Sequence, residues 1–386
     1  MVLVAPTWDD ARRAAHDAGR VLPTELVPVS RADRRVLVED IRARTPLPPR
    51  DASAMDGWAV RGAGPWQVVD DVRAGQDRAA ALEPGQAVAI ATGAVLPPET
   101  SGVLRSEHGS LDATGLLGGA TAEGTDIRPA GEEAGLGELL IPEGTVLTPA
   151  HVGLAAAGGY DELAVVRRPS ARFLVFGDEL LRTGSPREGK IRDSLGAQVP
   201  AWLGRMGFDI VGVEWVPDTR EAHVQALLDC ADVDVVVTSG GTARGPVDFL
   251  RVALADIRGE LLVDTVDVRP GSPMVLGQRA DRRWLVGLPG NPQAAIVALM
   301  TLGLPILDAL YGRPLADLDT RTLSAPVTSR GSRTRLVPCT DRAGIASPAD
   351  FIGSGMLRGL AASTGFAVVA GGQGEIGGVV RWLPLP

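Results

Sequence analysis

Lysine is almost missing from this chain. Lys190 is the only one, and every other fixed cation is arginine. Such a bias weakens any argument from a single arginine standing where lysine is expected. Cysteine is scarce as well: Cys230 and Cys339 lie far apart, which excludes a disulfide framework and points to a reducing, cytoplasmic compartment. Aromatic residues are only 4% of the chain against 48 glycines and 29 prolines, a balance that favours short elements and turns over long helices. No apolar run reads as long enough for a membrane span, and the start lacks the apolar core of a signal peptide. Excess positive charge is also lacking. The net charge of −9 argues against a nucleic-acid binder. What remains is an ordinary globular composition, 45% hydrophobic and 22% charged, in a chain of 386 residues. That length exceeds one core and predicts several domains.

The most informative stretch is Val233 to Phe249, VDVVVTSGGTARGPVDF. The β-branched run Val235-Val236-Val237 breaks at Thr238-Ser239-Gly240-Gly241, and a polar loop runs on to Asp248. In an open α/β sheet, ligands bind where a strand's carboxyl end meets such a loop, because backbone N–H groups and a helix dipole converge there. Paired glycines let the backbone approach an anion closely. Ser239, Thr242 and Asp248 add two hydroxyls and a carboxylate. A plain strand–loop–helix connection with turn glycines explains the same stretch equally well, since short glycine motifs recur by chance.

Taken in order, Thr7 to Ala18 reads as an amphipathic helix with Thr7 placed to cap it against Asp10. Val21 to Val29 and Val36 to Val38 read as strands or connectors, and Thr45 to Pro49 as a stiff boundary. From there to about Gly131 the pattern is strand and turn, which predicts a separate β-rich lobe. Thr148-Pro149 starts a helix that ends near Gly158. From Ala171 to Leu310 strands alternate with helices: strands at 173–176, 209–213, 235–237 and 284–286, and helices at 194–206, 218–230, 247–255 and 292–310. Alternation of this kind implies a mostly parallel sheet with right-handed crossovers. Asp218, three residues before Glu221, reads as the cap of the second helix. From Thr320 onward the pattern is β again, with a short helical stretch at 356–362.

Eight motifs in series carry a resemblance. They are Ser53 to Val60 (SAMDGWAV), Ala91 to Pro97 (ATGAVLP), Asp126-Ile127-Arg128 with Gly131 to Glu133, and Arg167-Arg168-Pro169 leading to Gly177 to Leu180 (GDEL). Then follow Ser239-Gly240-Gly241 through Asp248, Arg269 to Pro273 (RPGSP), Gly287 to Pro292 (GLPGNP) and Gly353 to Arg358 (GSGMLR). In this order the chain resembles the molybdopterin molybdenumtransferase family, MoeA in bacteria and the gephyrin E-domain in animals, over nearly its whole length. The resemblance implies a multidomain α/β and β fold. A central molybdopterin-binding α/β domain would span 1–21 and 169–317, and a connecting N-terminal domain 22–47 and 135–168. The inserted β-rich lobe would span 48–134, and a small β-barrel 318–386. It implies an elongated homodimer whose cleft is shared between subunits. Its substrates would be adenylylated molybdopterin and molybdate, with Mg²⁺ required and AMP released.

The same resemblance assigns residues. Asp56, Thr92, Glu179 and Asp248 become the catalytic candidates, and Asp56, Glu133, Glu179 and Asp248 the metal ligands. Ser239, Gly240, Gly241, Asp218, Arg269, Pro289, Gly290, Asn291, Pro292 and Arg128 would bind the pterin, its phosphates or molybdate. Turn chemistry accounts for Asp56 before Gly57 without any function. Asp218 already has a job as a helix cap, and Arg128 could be an ordinary surface arginine. Pro292 at a helix start would leave N–H groups facing the ligand.

Several positions depart from the family pattern. Thr265 and Ser272 stand where lysines are usual, Gln293-Ala294 replaces Val-Ser, and Glu133 replaces Asp. Pro338 falls on an arginine position, Ala243-Arg244 on Ser-Val, and Leu195 on an asparagine. A dianion site that loses two or three charge-assisted donors loses several kcal/mol, at roughly 1.5–3 kcal/mol each. Arg244 and Arg269 offset part of that on this reading. The departures leave an alternative open: a gephyrin-like scaffold of impaired activity that anchors a peptide segment of a partner protein near the C-terminal domain.

Overall fold

The computed structural model describes residues 2–75, 80–246, 248–328, 331, 333–371 and 373–386. They form two compact units, one of Met1–Pro23 with Val166–Pro386 and one of Thr24–Val165.

The first unit is built on a seven-stranded sheet. In order across the sheet the strands are Leu3–Val4, Glu260–Asp264, Val275–Gln278, Trp284–Leu288, Val235–Ser239, Ser170–Phe176 and Asp209–Val216. The last four run parallel, as the alternating pattern requires. Strand 275–278 runs antiparallel between strands 260–264 and 284–288, and the sequence reading missed both 260–264 and 275–278. Central strand 235–239 is buried along its whole length, which explains its unbroken β-branched run. Helices Leu195–Met206, Arg220–Leu228 and Leu250–Asp256 follow the strands. The last was expected to begin at Val247, which lies outside the described residues.

Thr7 accepts the Asp10 N–H and caps helix Trp8–Ala18 as expected. That helix packs on the one at Pro292–Leu310, where Trp8 donates its indole N–H to Thr301. The 292–310 segment corrects one reading. It is 19 residues long and apolar enough to cross a membrane, but it lies almost wholly buried inside the unit. Its length was expected from the sequence, but Gln293, Thr301 and Asp308 interrupt the apolar run there. A single π turn at Leu299–Gly303 interrupts its hydrogen-bond ladder.

The C-terminal part is a closed five-strand barrel of Thr334–Arg342, Ile345–Pro348, Thr320–Leu323, Val379–Pro384 and Gly365–Val369. Strand Val268–Arg269 adds to it in parallel beside residues 334 and 335. Asp9 of the first helix and Arg381 of the barrel form a bidentate ion pair at 2.7 and 2.9 Å.

The second unit holds two kinds of core. One gathers Leu37, Ile41, Ile141, Leu147 and Leu163 around helix Pro149–Ala157. The other fills a six-stranded sheet that includes Gly57–Val60, Gln86–Ile90 and Gly102–Arg105. Gly57 is required here. A Cβ at that residue would lie 2.0 Å from the Leu104 carbonyl oxygen. Strands Ala52–Ser53 and Ile127–Arg128 pair, which joins the SAMDGWAV and Asp-Ile-Arg motifs.

Candidate functional site

The Gly240-Gly241 turn sits at the carboxyl end of strand 235–239, and both glycines have left-handed φ, +83° and +66°. A Cβ on Gly240 would lie 2.9 Å from the Phe176 carbonyl oxygen. The turn therefore admits no other residue without distortion. Asp248 closes the loop by accepting the Gly245 and Ala243 N–H groups at 2.6 and 3.2 Å. Arg251, in the first turn of the next helix, donates to the Thr242 and Ala243 carbonyls at 2.6 and 2.9 Å. The sequence reading missed Arg251, because nothing local marks an arginine that folds back on the preceding loop.

This loop walls a cavity of about 450 Å³ that also takes in Glu179, Asp218, Pro289, Gly290 and Asn291. Ser239 is buried as the last strand residue and is not part of the wall. Asp218 is not the helix cap. Thr219 has that role, accepting the Ala222 N–H at 3.2 Å, because the helix starts at Arg220, two residues later than expected. The Asp218 carboxylate is left facing the cavity, where it accepts the Asp178 N–H at 3.2 Å. Burial raises its pKa above the usual carboxylate value, against that hydrogen bond, and the charges of Asp178 and Asp248 push the same way.

Pro273, Pro289 and Asn291 also wall a second cavity of about 540 Å³. Its character is opposite. Arg269, Arg333 and Arg335 line it. Arg269 and Arg335 are register partners on adjacent parallel strands, an arrangement of like charges that costs stability unless an anion relieves it. Arg333 reaches Asp267 at 3.0 Å, and Arg335 donates to the Thr328 carbonyl. Asn291 is the only asparagine of the chain. It caps the 292–310 helix through its backbone and makes no side-chain cap bond. The helix N–H groups do not face a ligand. Ser354 takes those of Gln293 and Ala294 at 3.0 and 3.3 Å, because the Gly353-Ser354-Gly355 loop covers the helix start.

The departures sort by place. Ser272 and Ala294 line the arginine cavity, whereas Thr265 and Pro338 line neither. Thr265 holds a left-handed turn at φ +63°. Pro338 is buried mid-strand in the barrel opposite Phe366. The nearby arginines that do reach the cavity are Arg333 and Arg335, so the position read as a lost donor is not one. Arg244 offers no offset either, since it lines neither cavity and is paired at 2.8 Å with Asp264, which Arg251 also holds.

In the second unit Asp56 and Thr92 come together. The Thr92 N–H and hydroxyl donate to Asp56 Oδ1 at 2.7 and 3.1 Å, and these bonds, the backbone one foremost, lower the Asp56 pKa. Arg128 is exposed, with Glu132 at 3.8 Å. Glu133 is exposed, and its backbone N–H bonds the Leu47 carbonyl. Among the described residues, no group of three or more His, Cys, Asp or Glu side chains is arranged to hold a metal ion.

Comparison with known proteins settles the family. The MoeA N-terminal region (domain I and II) matches residues 7–159, and the probable molybdopterin binding domain matches 172–309. A molybdopterin molybdenumtransferase of Haemophilus influenzae is 31% identical over 301 residues, covering 75% of this chain and 74% of the relative. Molybdopterin molybdenumtransferase 2 of Mycobacterium tuberculosis is 34% identical over 330 residues, covering 80% and 81%. The chain belongs to the molybdopterin molybdenumtransferase family. The family fold extends to structure: a MoeA protein of Pyrococcus horikoshii superimposes with a TM-score of 0.78 over 98% of this chain and 100% of its own, at 22% identity. At this similarity the superposition shows the fold alone.

Proposed function

We propose that the protein acts in molybdenum cofactor biosynthesis, inserting molybdate into adenylylated molybdopterin with Mg²⁺ and releasing AMP. One observation carries this reading: a carboxylate-walled cavity and an arginine-walled cavity lie side by side and share Pro273, Pro289 and Asn291. The first suits a pterin with its phosphates. The second suits an oxyanion.

Mg²⁺ takes one or two protein carboxylates and completes its shell with water and substrate phosphate oxygens. Glu179 and Asp248 in one wall fit that pattern, and the lack of a larger carboxylate cluster among the described residues is compatible with it. Bound there, the ion would neutralise the phosphates and polarise the phosphoanhydride. The chain's own groups do the rest. Gly240 and Gly241 admit the ligand close to the backbone, and Asp218 orients the pterin from the cavity wall. Arg269, Arg333 and Arg335 hold the molybdate dianion through charge-assisted hydrogen bonds. Asp56, kept ionised by Thr92, supplies a carboxylate able to orient water, with Glu133 and Arg128 as further ligands from the same unit. A homodimer completes the reading.

The decisive experiment incubates purified protein with adenylylated molybdopterin, Mg²⁺ and molybdate, and follows AMP and active cofactor separately. Both should form. AMP without cofactor would sink the insertion step, and neither product would sink the reading entirely. The peptide-binding scaffold rested on lost anion donors, and the three cavity arginines remove much of that support. Sedimentation of the pure protein at a monomer mass would exclude the dimer.

A further inference from the structure

His223 lies behind the wall of the carboxylate cavity, and no role above uses it. Its side chain is fully buried on helix Arg220–Leu228. The ring stacks on Phe176 at 3.7 Å and 16° and meets Phe249 edge-on at 5.9 Å. Its Cε1 would be 3.4 Å from a Cβ on Gly241. The imidazole is thus wedged beneath the Gly240-Gly241 turn. Neither ring nitrogen has a hydrogen-bond partner among the described residues. A buried polar ring without partners is a costly choice where an apolar side chain would fill the space.

One polar group is near. His223 Nε2 stands 3.6 Å from Asp218 Oδ1, while Asp218 Oδ2 takes the Asp178 N–H. We infer that His223 is a positioning residue for Asp218: as the neutral Nε2–H tautomer it donates to Oδ1 when the pterin substrate fills the cavity, fixing that carboxylate as an ionised acceptor. This inference rests on the reading of the cavity as the pterin site. The separation exceeds a hydrogen bond by a few tenths of an ångström, and contacts of this kind commonly tighten on ligand binding. A small turn of the Asp218 carboxylate closes the gap.

The electrostatics agree. Asp178 follows the strand at 170–176, Asp248 closes the loop before helix 250–256, and Glu179 stands in the same wall as Asp218. Burial lowers the His223 pKa to about 4 despite the nearby Asp178 and Asp248, so the ring is neutral at physiological pH. Burial and the same neighbours raise that of Asp218. A neutral N–H donor stabilises the ionised form of Asp218 without the cost of burying a second charge.

The test uses the full-length protein. The chain has four histidines, so ¹⁵N-histidine labelling reads His223 directly. The expected signal is a neutral Nε2–H tautomer down to about pH 4. An Nδ1–H tautomer would overturn the inference, and this arm needs no variant. In a second arm, adenylylated molybdopterin binding is measured from pH 5 to 8 for wild type, His223→Gln and His223→Leu. Leucine keeps bulk but not the donor, so the acid limb of binding should move up by about one pH unit, while glutamine should keep the wild-type profile. An unmoved profile in His223→Leu also overturns the inference. Wild-type protein that binds no pterin sinks the cavity's assignment, and the tautomer still decides the His223–Asp218 contact.

Discussion

The two cavities of the first unit differ in charge and in the way their walls are made. The acidic one is centred on a single loop, to which other segments add Glu179 and Asp218. Gly240, Gly241, Thr242, Ala243 and Asp248 come from one loop, held by Asp248 and Arg251 through bonds to that loop's own backbone. The basic one is assembled from distant segments. Arg269 comes from an edge strand, and Arg333 and Arg335 from the start of a barrel strand. The difference teaches that a loop motif can announce one wall of a cavity by itself. In a cationic cavity built by juxtaposing strands, the Arg269 motif could be read in the sequence, but its meeting with Arg333 and Arg335 could not.

Four perturbations test that contrast, beginning with the most severe. Asp248→Ala removes a carboxylate and the acceptor of two loop N–H groups at once. Steady-state assays should show cofactor formation falling by roughly 10²–10³-fold. Activity within a few-fold of wild type would remove Asp248 from the mechanism. The double substitution Arg333→Ala and Arg335→Ala strikes the basic cavity instead. Calorimetry with molybdate should find affinity reduced by about 10²-fold, from two charge-assisted contacts at ~1.5 kcal/mol each. AMP release should suffer less than cofactor formation, and equal losses would mean the cavities do not divide the work as proposed.

The third perturbation is pH. His223 has its pKa lowered to about 4 from 6.5, so below pH 6.5 the unfolded chain binds a proton that the folded chain refuses. Stability should therefore be lost as pH falls from about 6.5 to 4, by roughly 3 kcal/mol from this group. Urea unfolding of wild type and His223→Leu across that window should differ in slope, and parallel slopes would show that His223 is not buried neutral. The mildest change is Ser272→Lys. It adds a cation to the arginine cavity and removes the hydroxyl that donates to the Val266 carbonyl at 2.8 Å. Molybdate affinity should rise by up to ~10-fold, and no gain would place residue 272 outside the anion's reach.

Much of the fold was legible from local chemistry. The β-branched run at 235–237, the Thr7 and Thr148 caps and the Gly-Gly turn each dictate their element through short-range physics, and each is found where expected. The misses share a cause. Strands 260–264 and 275–278 carry little alternation and exist because they pair with each other and with neighbours. Asp218 read as a cap because its spacing to Glu221 fits one, yet Thr219, one residue on, competes for the same role and wins. The helix start at Pro292 read as a ligand cradle because no sequence rule foresees a loop sixty residues away covering it.

The amino-acid sequence by itself determined the family, the central α/β alternation and the residues able to do carboxylate chemistry, because motif order and turn geometry are local properties of the chain. Only the tertiary structure decided which arginines line a common cavity and which pair with Asp264. It also decided that a buried histidine stands behind Asp218. Burial and strand register are set by what packs around a residue, and that is not written at the residue itself.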